Sequence, residues 1–202
     1  MICERKDELQ RELGRREVRV KEIEDVLNEA LVIAGLEDLD LSDKEFLIIG
    51  PGEYCPERQV FLAMGAQEEL ITEVDSKKVE EIIFAGKNFY GGTDYRYFLA
   101  KEGRERRFDL IIQIKAGAFS EGSLRLIYQR LTEGGIFIWQ HMYFNSNEIH
   151  LPLRVIREKA LKKWEVAFGE GNFYYSTLEG REIMVGVKSS LEPSSPTASN
   201  SS

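Results

Sequence analysis

The stretch IIGPGEYCPE, residues 48–57, holds residue types suited to gripping a ligand. Gly50 and Gly52 can turn the backbone sharply and bring it against a bound molecule with no Cβ between them. Pro56 suits the first turn of a helix, and the free amides of such a helix can face an anionic or polar group. Asp75 follows Gly50 by 25 residues and closes the run ELITEVD. A carboxylate at that place can accept both hydroxyls of a ribose. It could equally be an exposed acid favoured by the dipole of a helix beginning after it. Cys55 lies beside the glycine turn, where a helix N-terminus can lower a thiol pKa; the alternative is a small apolar filler.

These residues depend on the strands and helices that carry them. FLIIG, residues 46–50, reads as a buried strand running into a glycine turn, with a helix over 57–64 after it. ELITEVD, 69–75, reads as a second strand, and 76–85 as a helix capped by Ser76. NFYGG, 88–92, is a short third strand, and 94–101 a turn or two of helix. RFDLIIQI, 107–114, is apolar at consecutive positions, as in a strand covered on both faces. A helix from Ser120 or Glu121 to Leu131 leads through Gly134 and Gly135 to a fifth strand over 135–140. A helix is expected over 149–163, then strands at WEVAF, 164–168, and EIMVGV, 182–187, around a Gly- and Tyr-rich connection. At the other end, 4–17 is charged at ten of fourteen positions and reads as a solvated helix. Residues 19–34 carry an apolar stripe at helical spacing, stopped by Gly35. Residues 189–202 are a Ser- and Pro-rich tail with little to bury, expected to be disordered. The chain therefore divides into a helical extension (1–40), an α/β domain (41–188) and the tail (189–202).

Composition narrows the function. The chain has 202 residues, 43% hydrophobic and 31% charged, enough for a core without covalent staples. Its formal charge of −8 disfavours phosphate backbones and anionic lipid as general partners. Two cysteines and two histidines are too few for a disulfide framework or a dedicated zinc site. No apolar run approaches the ~20 residues needed to cross a bilayer, and the charged start, MICERKDELQRE, does not read as a signal peptide. The expectation is a cytoplasmic protein with no metal and no membrane contact.

The order of these motifs resembles the class I S-adenosylmethionine-dependent methyltransferases over roughly residues 40–188. FLIIGPGEY is similar to their glycine motif, TEVD to the ribose-binding acid, and GGTDYRYF to the segment whose acid contacts adenine. FDLIIQIKAG and LTEGGIFIWQ resemble the fourth strand with its loop and the turn before the fifth strand. The resemblance implies a Rossmann-like, doubly wound, mostly parallel seven-stranded sheet with helices on both faces and a reversed strand at 182–187. It implies S-adenosylmethionine as cofactor. Gly50, Gly52, Glu53 and Tyr54 would line its methionine end, Asp75 and Ser76 the ribose, Asp94 and Tyr95 the adenine, and Gln113 the end of strand four. The sequence departs from the family pattern at Ile48, where an acid is usual, and at Tyr54, where a third glycine is usual.

Methyl transfer from a sulfonium rests mainly on alignment; a general base is needed only when the acceptor must lose a proton. His141, Tyr143 and Lys115 are the candidates in strand-end loops. The acceptor would be a small molecule or a protein side chain. The Asn/Asp-Pro-Pro-aromatic motif of amino-methylating nucleic-acid enzymes is absent where QIKAG stands. Two other readings fit the same residues. IIGPGE also resembles the aminopropyltransferases, although Gln113 and Lys115 stand where that family carries an acid. Alternatively, Ile48, Tyr54 and Gln113 mark a non-catalytic binding or assembly module on the same fold. The N-terminal helices could pair two copies of the chain or cover the cleft.

Overall fold

In a computed structural model the FLII run, Phe46–Ile49, is the central strand β1. All four residues are buried because each face of the strand has its own core. Phe46 and Ile48 enter the core that α1 (Ile2–Ile33) and α2 (Pro56–Ala63) cover. Leu47 and Ile49 enter the core on the other side, with α3 (Tyr95–Ala100), α4 (Glu121–Arg130) and α5 (Leu153–Phe168). The structure describes residues 2–52, 54–78, 80, 84–116, 119–141, 153–178 and 181–189.

The remaining strands are β2 (Ile71–Asp75), β3 (Asn88–Gly91), β4 (Phe108–Ala116), β5 (Leu131–His141), β6 (Phe173–Leu178) and β7 (Arg181–Val187). They form one seven-stranded sheet in the order β3-β2-β1-β4-β5-β7-β6. The first five run parallel, whereas β7 is antiparallel to both β5 and β6. The sheet is therefore mixed, and the reversed strand falls at the expected residues. Chain order reverses between β1 and β4, which places the glycine turn after β1 at the topological switch point.

Four expectations need correction. The two N-terminal helices are one continuous helix, α1. It ends where Gly35 takes φ +67° and donates to Val32 O, while Leu36 N reaches back to Leu31 O. Residues 164–168 are the last turn of α5, not a strand. There Trp164 stacks between Phe137 at 5.2 Å and 4° and Phe168 at 5.2 Å and 17°. The sixth strand is FYYSTL, which lies within the expected Gly- and Tyr-rich connection. Finally, β5 begins at Leu131 rather than Gly135, with an irregular register between Phe108 and Leu110 of β4.

The expected helix over 76–85 is not formed at its start. Ser76 and Lys77 make a bend, and 79 and 81–83 lie outside the described residues. Asp75 Oδ1 accepts from Lys77 N at 2.8 Å, so the preceding acid supports this turn in place of a Ser76 cap. Residues 190–202 also lie outside the described residues, as does the start of the helix expected at 149. No helix among the described residues is long and apolar enough to cross a membrane.

Candidate functional site

The glycine turn and Asp75 meet at the carboxyl ends of β1 and β2. Gly50 and Gly52 both adopt left-handed backbone, φ +66° and +71°. A Cβ on either would meet no atom within 4 Å, so both face open space. Gly52 N donates to Asp75 Oδ2 at 3.1 Å, and Gly50 N to Val74 O at 2.8 Å. Asp75 is thus not an exposed acid favoured by a helix dipole. It is 7% exposed and ties the glycine turn to the next strand. A carboxylate offers about four acceptor positions, and backbone amides occupy two of them. Ser76 is exposed at the rim, its Oγ 3.5 Å from Asp75 Oδ1.

Tyr54 leaves the cradle clear. Its ring centroid lies 6.5 Å from that of Phe84, and none of its atoms comes within 4 Å of a Cβ placed on Gly52. Cys55 has φ +42°, an uncommon backbone for a residue with a Cβ. It is fully buried, and its Sγ lies 3.6 Å from Gly52 O. Burial first, and then the nearby Glu73 carboxylate, push the thiol pKa well above its ordinary value. The helix-dipole reading of Cys55 therefore fails, because desolvation and a neighbouring acid outweigh the N-terminus. In a Cys3→Ser background, labelling of Cys55 by an aromatic disulfide at pH 8 should be about a hundredfold slower than that of free cysteine. It should reach the free rate only in denaturant. Fast labelling of the native protein would contradict this burial.

Beneath α2, Glu73 is buried and its carboxylate accepts from Gly86 N at 2.8 Å. Arg58 Nε lies 3.4 Å from it, and Arg58 also pairs with Glu68 at 3.3 Å. Burial raises the Glu73 pKa against the opposing pull of Gly86 N and Arg58. This pair was not legible in the sequence. It lies in the core beside the Cys55 thiol and supports β2 from that side.

The other expected site residues divide. Asp94 caps α3, accepting from Arg96 N at 2.8 Å. It also holds the Arg96 guanidinium through two bonds of 2.9 and 2.7 Å, and this pairing lowers its pKa. Its carboxylate is thereby engaged at the start of α3. Tyr95 is half-buried and meets Phe119 edge-on at 6.0 Å; burial raises its pKa. Gln113 sits opposite Trp139 of β5, and its Oε1 is buried with no hydrogen-bond partner among the described residues. Gln140, near the end of β5 and 1% exposed, has both amide atoms in that condition. Its only mark in the sequence is a polar residue closing an apolar run.

Between Gln113 and Ala116, β4 carries one residue more than β5, a bulge of the kind that re-aims side chains near sites. Ala116 then pairs with His141, so the backbones of Lys115 and His141 adjoin at the carboxyl edge of the sheet. The side chains of Lys115 and His141 lie outside the described set, and Glu53 and Tyr143 lie outside the described residues altogether.

Solved structures share this architecture. A protein described as a hemolysin from Streptococcus thermophilus is 18% identical with a TM-score of 0.59, over 85% of this chain and 68% of that one. Human methyltransferase-like protein 13, in complex with SAH, is 13% identical with a TM-score of 0.55, over 79% and 78%. An O-methyltransferase family protein from Burkholderia thailandensis is 12% identical with a TM-score of 0.52, over 88% and 60%. No family model and no curated protein matches the chain. The strand order and these likenesses define the class: the chain has the class I S-adenosylmethionine-dependent methyltransferase fold.

Proposed function

We propose that the chain binds S-adenosylmethionine at the carboxyl ends of β1, β2 and β4, and transfers its methyl group to a small molecule or a protein side chain. The observation that carries this is the cradle: two left-handed glycines facing open space, tied to a buried acid at the end of the next strand. The residues present suit the cofactor. Gly50 and Gly52 allow close approach to its methionine end. Asp75, which already accepts from two backbone amides and the Ser76 hydroxyl, keeps an acceptor position for a ribose hydroxyl. Gln113 Oε1, an orphaned acceptor, suits an ammonium group. Tyr95, with Phe119 beside it, offers an aromatic wall for adenine, while Asp94 serves by holding Arg96 and the start of α3.

The bound cofactor supplies an already activated methyl group. The protein's part is to align the acceptor with that methyl and to take a proton where the acceptor has one to lose. Lys115 and His141 are assigned that second role, on the strength of their adjoining backbone positions at the strand edge. The free, buried thiol of Cys55 suits a reducing, cytoplasmic setting.

Gln113 gives the sharpest test. A buried acceptor with no partner among the described residues costs folding free energy and returns none. Gln113→Leu should therefore leave the denaturation midpoint unchanged or raise it. By calorimetry it should weaken S-adenosylmethionine binding by about 1.5–3 kcal/mol, the range for a hydrogen bond to a charged group. If wild-type protein binds neither S-adenosylmethionine nor S-adenosylhomocysteine at about 1 mM, the enzyme reading falls and a binding or assembly role replaces it.

A further inference from the structure

At the opposite end of the sheet from the glycine turn, three cations from distant parts of the sequence converge on one cavity. Arg107 precedes β4, Arg130 ends α4, and Lys188 follows β7. With Tyr128 and Glu133 they line a space of about 410 Å³, within the range of small-molecule sites. In a chain of net charge −8, this is an unusual concentration of positive charge.

None of the three cations forms an ion pair with a carboxylate among the described residues. Their backbone bonds hold them in place instead. Arg130 Nε donates to Leu99 O at 3.0 Å, Lys188 Nζ to Leu131 O at 2.8 Å, and Arg107 to Arg106 O at 3.0 Å. One donor of Arg130's five and one of Lys188's three are thereby used, and the rest remain available. Burial first, and then Arg107, lower the pKa of both Arg130 and Lys188. Glu133 and Glu105 offset this repulsion only in part, and a bound anion would relieve the rest.

We propose that this cavity is a second binding site, separate from the cofactor cleft, for a small phosphate monoester. A dianion matches a net of three cations against the single Glu133. Arginine's planar fork favours a phosphate's paired oxygens. Tyr128, whose ring lies 5.3 Å from Lys188 Nζ, offers an apolar wall to the organic part of the ester. A polyanion such as nucleic acid would have to approach a protein of opposing overall charge.

The test is calorimetric titration of the full chain with phenyl phosphate and with inorganic phosphate at low salt. Both should bind, phenyl phosphate more tightly. Arg107→Gln removes a charge from an exposed side chain and should leave the melting temperature unchanged while weakening phenyl phosphate roughly tenfold. Arg130→Gln should weaken it at least as much. Binding of S-adenosylhomocysteine should be the same in wild type and both variants, which separates this site from the cofactor cleft. The proposal is overturned if phenyl phosphate gives no saturable heat up to about 10 mM. It is also overturned if both variants bind like wild type, or if a short RNA duplex displaces phenyl phosphate at lower concentration.

Discussion

Gly52→Ala is expected to leave the protein folded and to weaken S-adenosylhomocysteine binding about a hundredfold or more, the scale at which a displacement near 1 Å acts on a positioned ligand. The backbone at Gly52 has φ +71°, so any side chain there carries strain of about 1 kcal/mol. The added methyl meets no protein atom within 4 Å. It projects into the space assigned to the cofactor. Gly134 supplies the matched control, with φ +74° and no atom within 4 Å of its Cβ, at the other end of the sheet. Gly134→Ala should show the same stability loss and unchanged binding. Equal binding losses in the two variants would trace the effect to backbone strain and remove Gly52 from the site.

The largest expected loss of stability belongs to Trp164→Ala, at about 3–5 kcal/mol by the scale for large aromatic truncations in a core. Trp164 is 2% exposed and shares contacts with Phe137, Trp139 and Phe168. Its removal leaves a void that three rings and a strand cannot close together. Val166, two residues on and 44% exposed, should tolerate alanine within about 0.5 kcal/mol. Urea denaturation of the two variants decides between α5 and a strand at this place. In a two-faced strand, residues 164 and 166 would share a face and respond alike.

That contrast also explains what the sequence withheld. A short run such as WEVAF satisfies both the strand pattern and the end of a helical one. Only the continuation of the stripe from Ala160 and Leu161 through Trp164, Ala167 and Phe168 separates them. FYYSTL was missed for the opposite reason: its residues are half-buried at the sheet edge and carry no continuous apolar signal. The central strand β1 was legible because burial on both faces leaves it no polar position to confuse the pattern. In the site, the glycine turn and Asp75 could be found by spacing. The bond from Gly52 N to Asp75 could not, since it joins residues 23 apart. The same holds for Cys55, whose thiol is pushed up by burial and then by Glu73, 18 residues along the chain. It holds again for Arg107, Arg130 and Lys188, which only the sheet brings to one cavity.

The position of β7 bears on how the chain is made. It fills an interior place between β5 and β6, yet all six other strands precede it in sequence. During synthesis at about 5–20 residues per second, β5 emerges with its outer edge open. Residues Ile136–Gln140 on that edge gain their partners only when Ile183–Val187 arrive. For several seconds the nascent chain therefore presents an unpaired apolar strand, the template most prone to join another chain. β6, which contacts the sheet through β7, cannot close the gap in advance. The sheet is thus completed only when its last strand adds to the open edge of β5, carrying β6 with it as a hairpin. A ribosome stalled before residue 181 would hold out a sheet competent to aggregate.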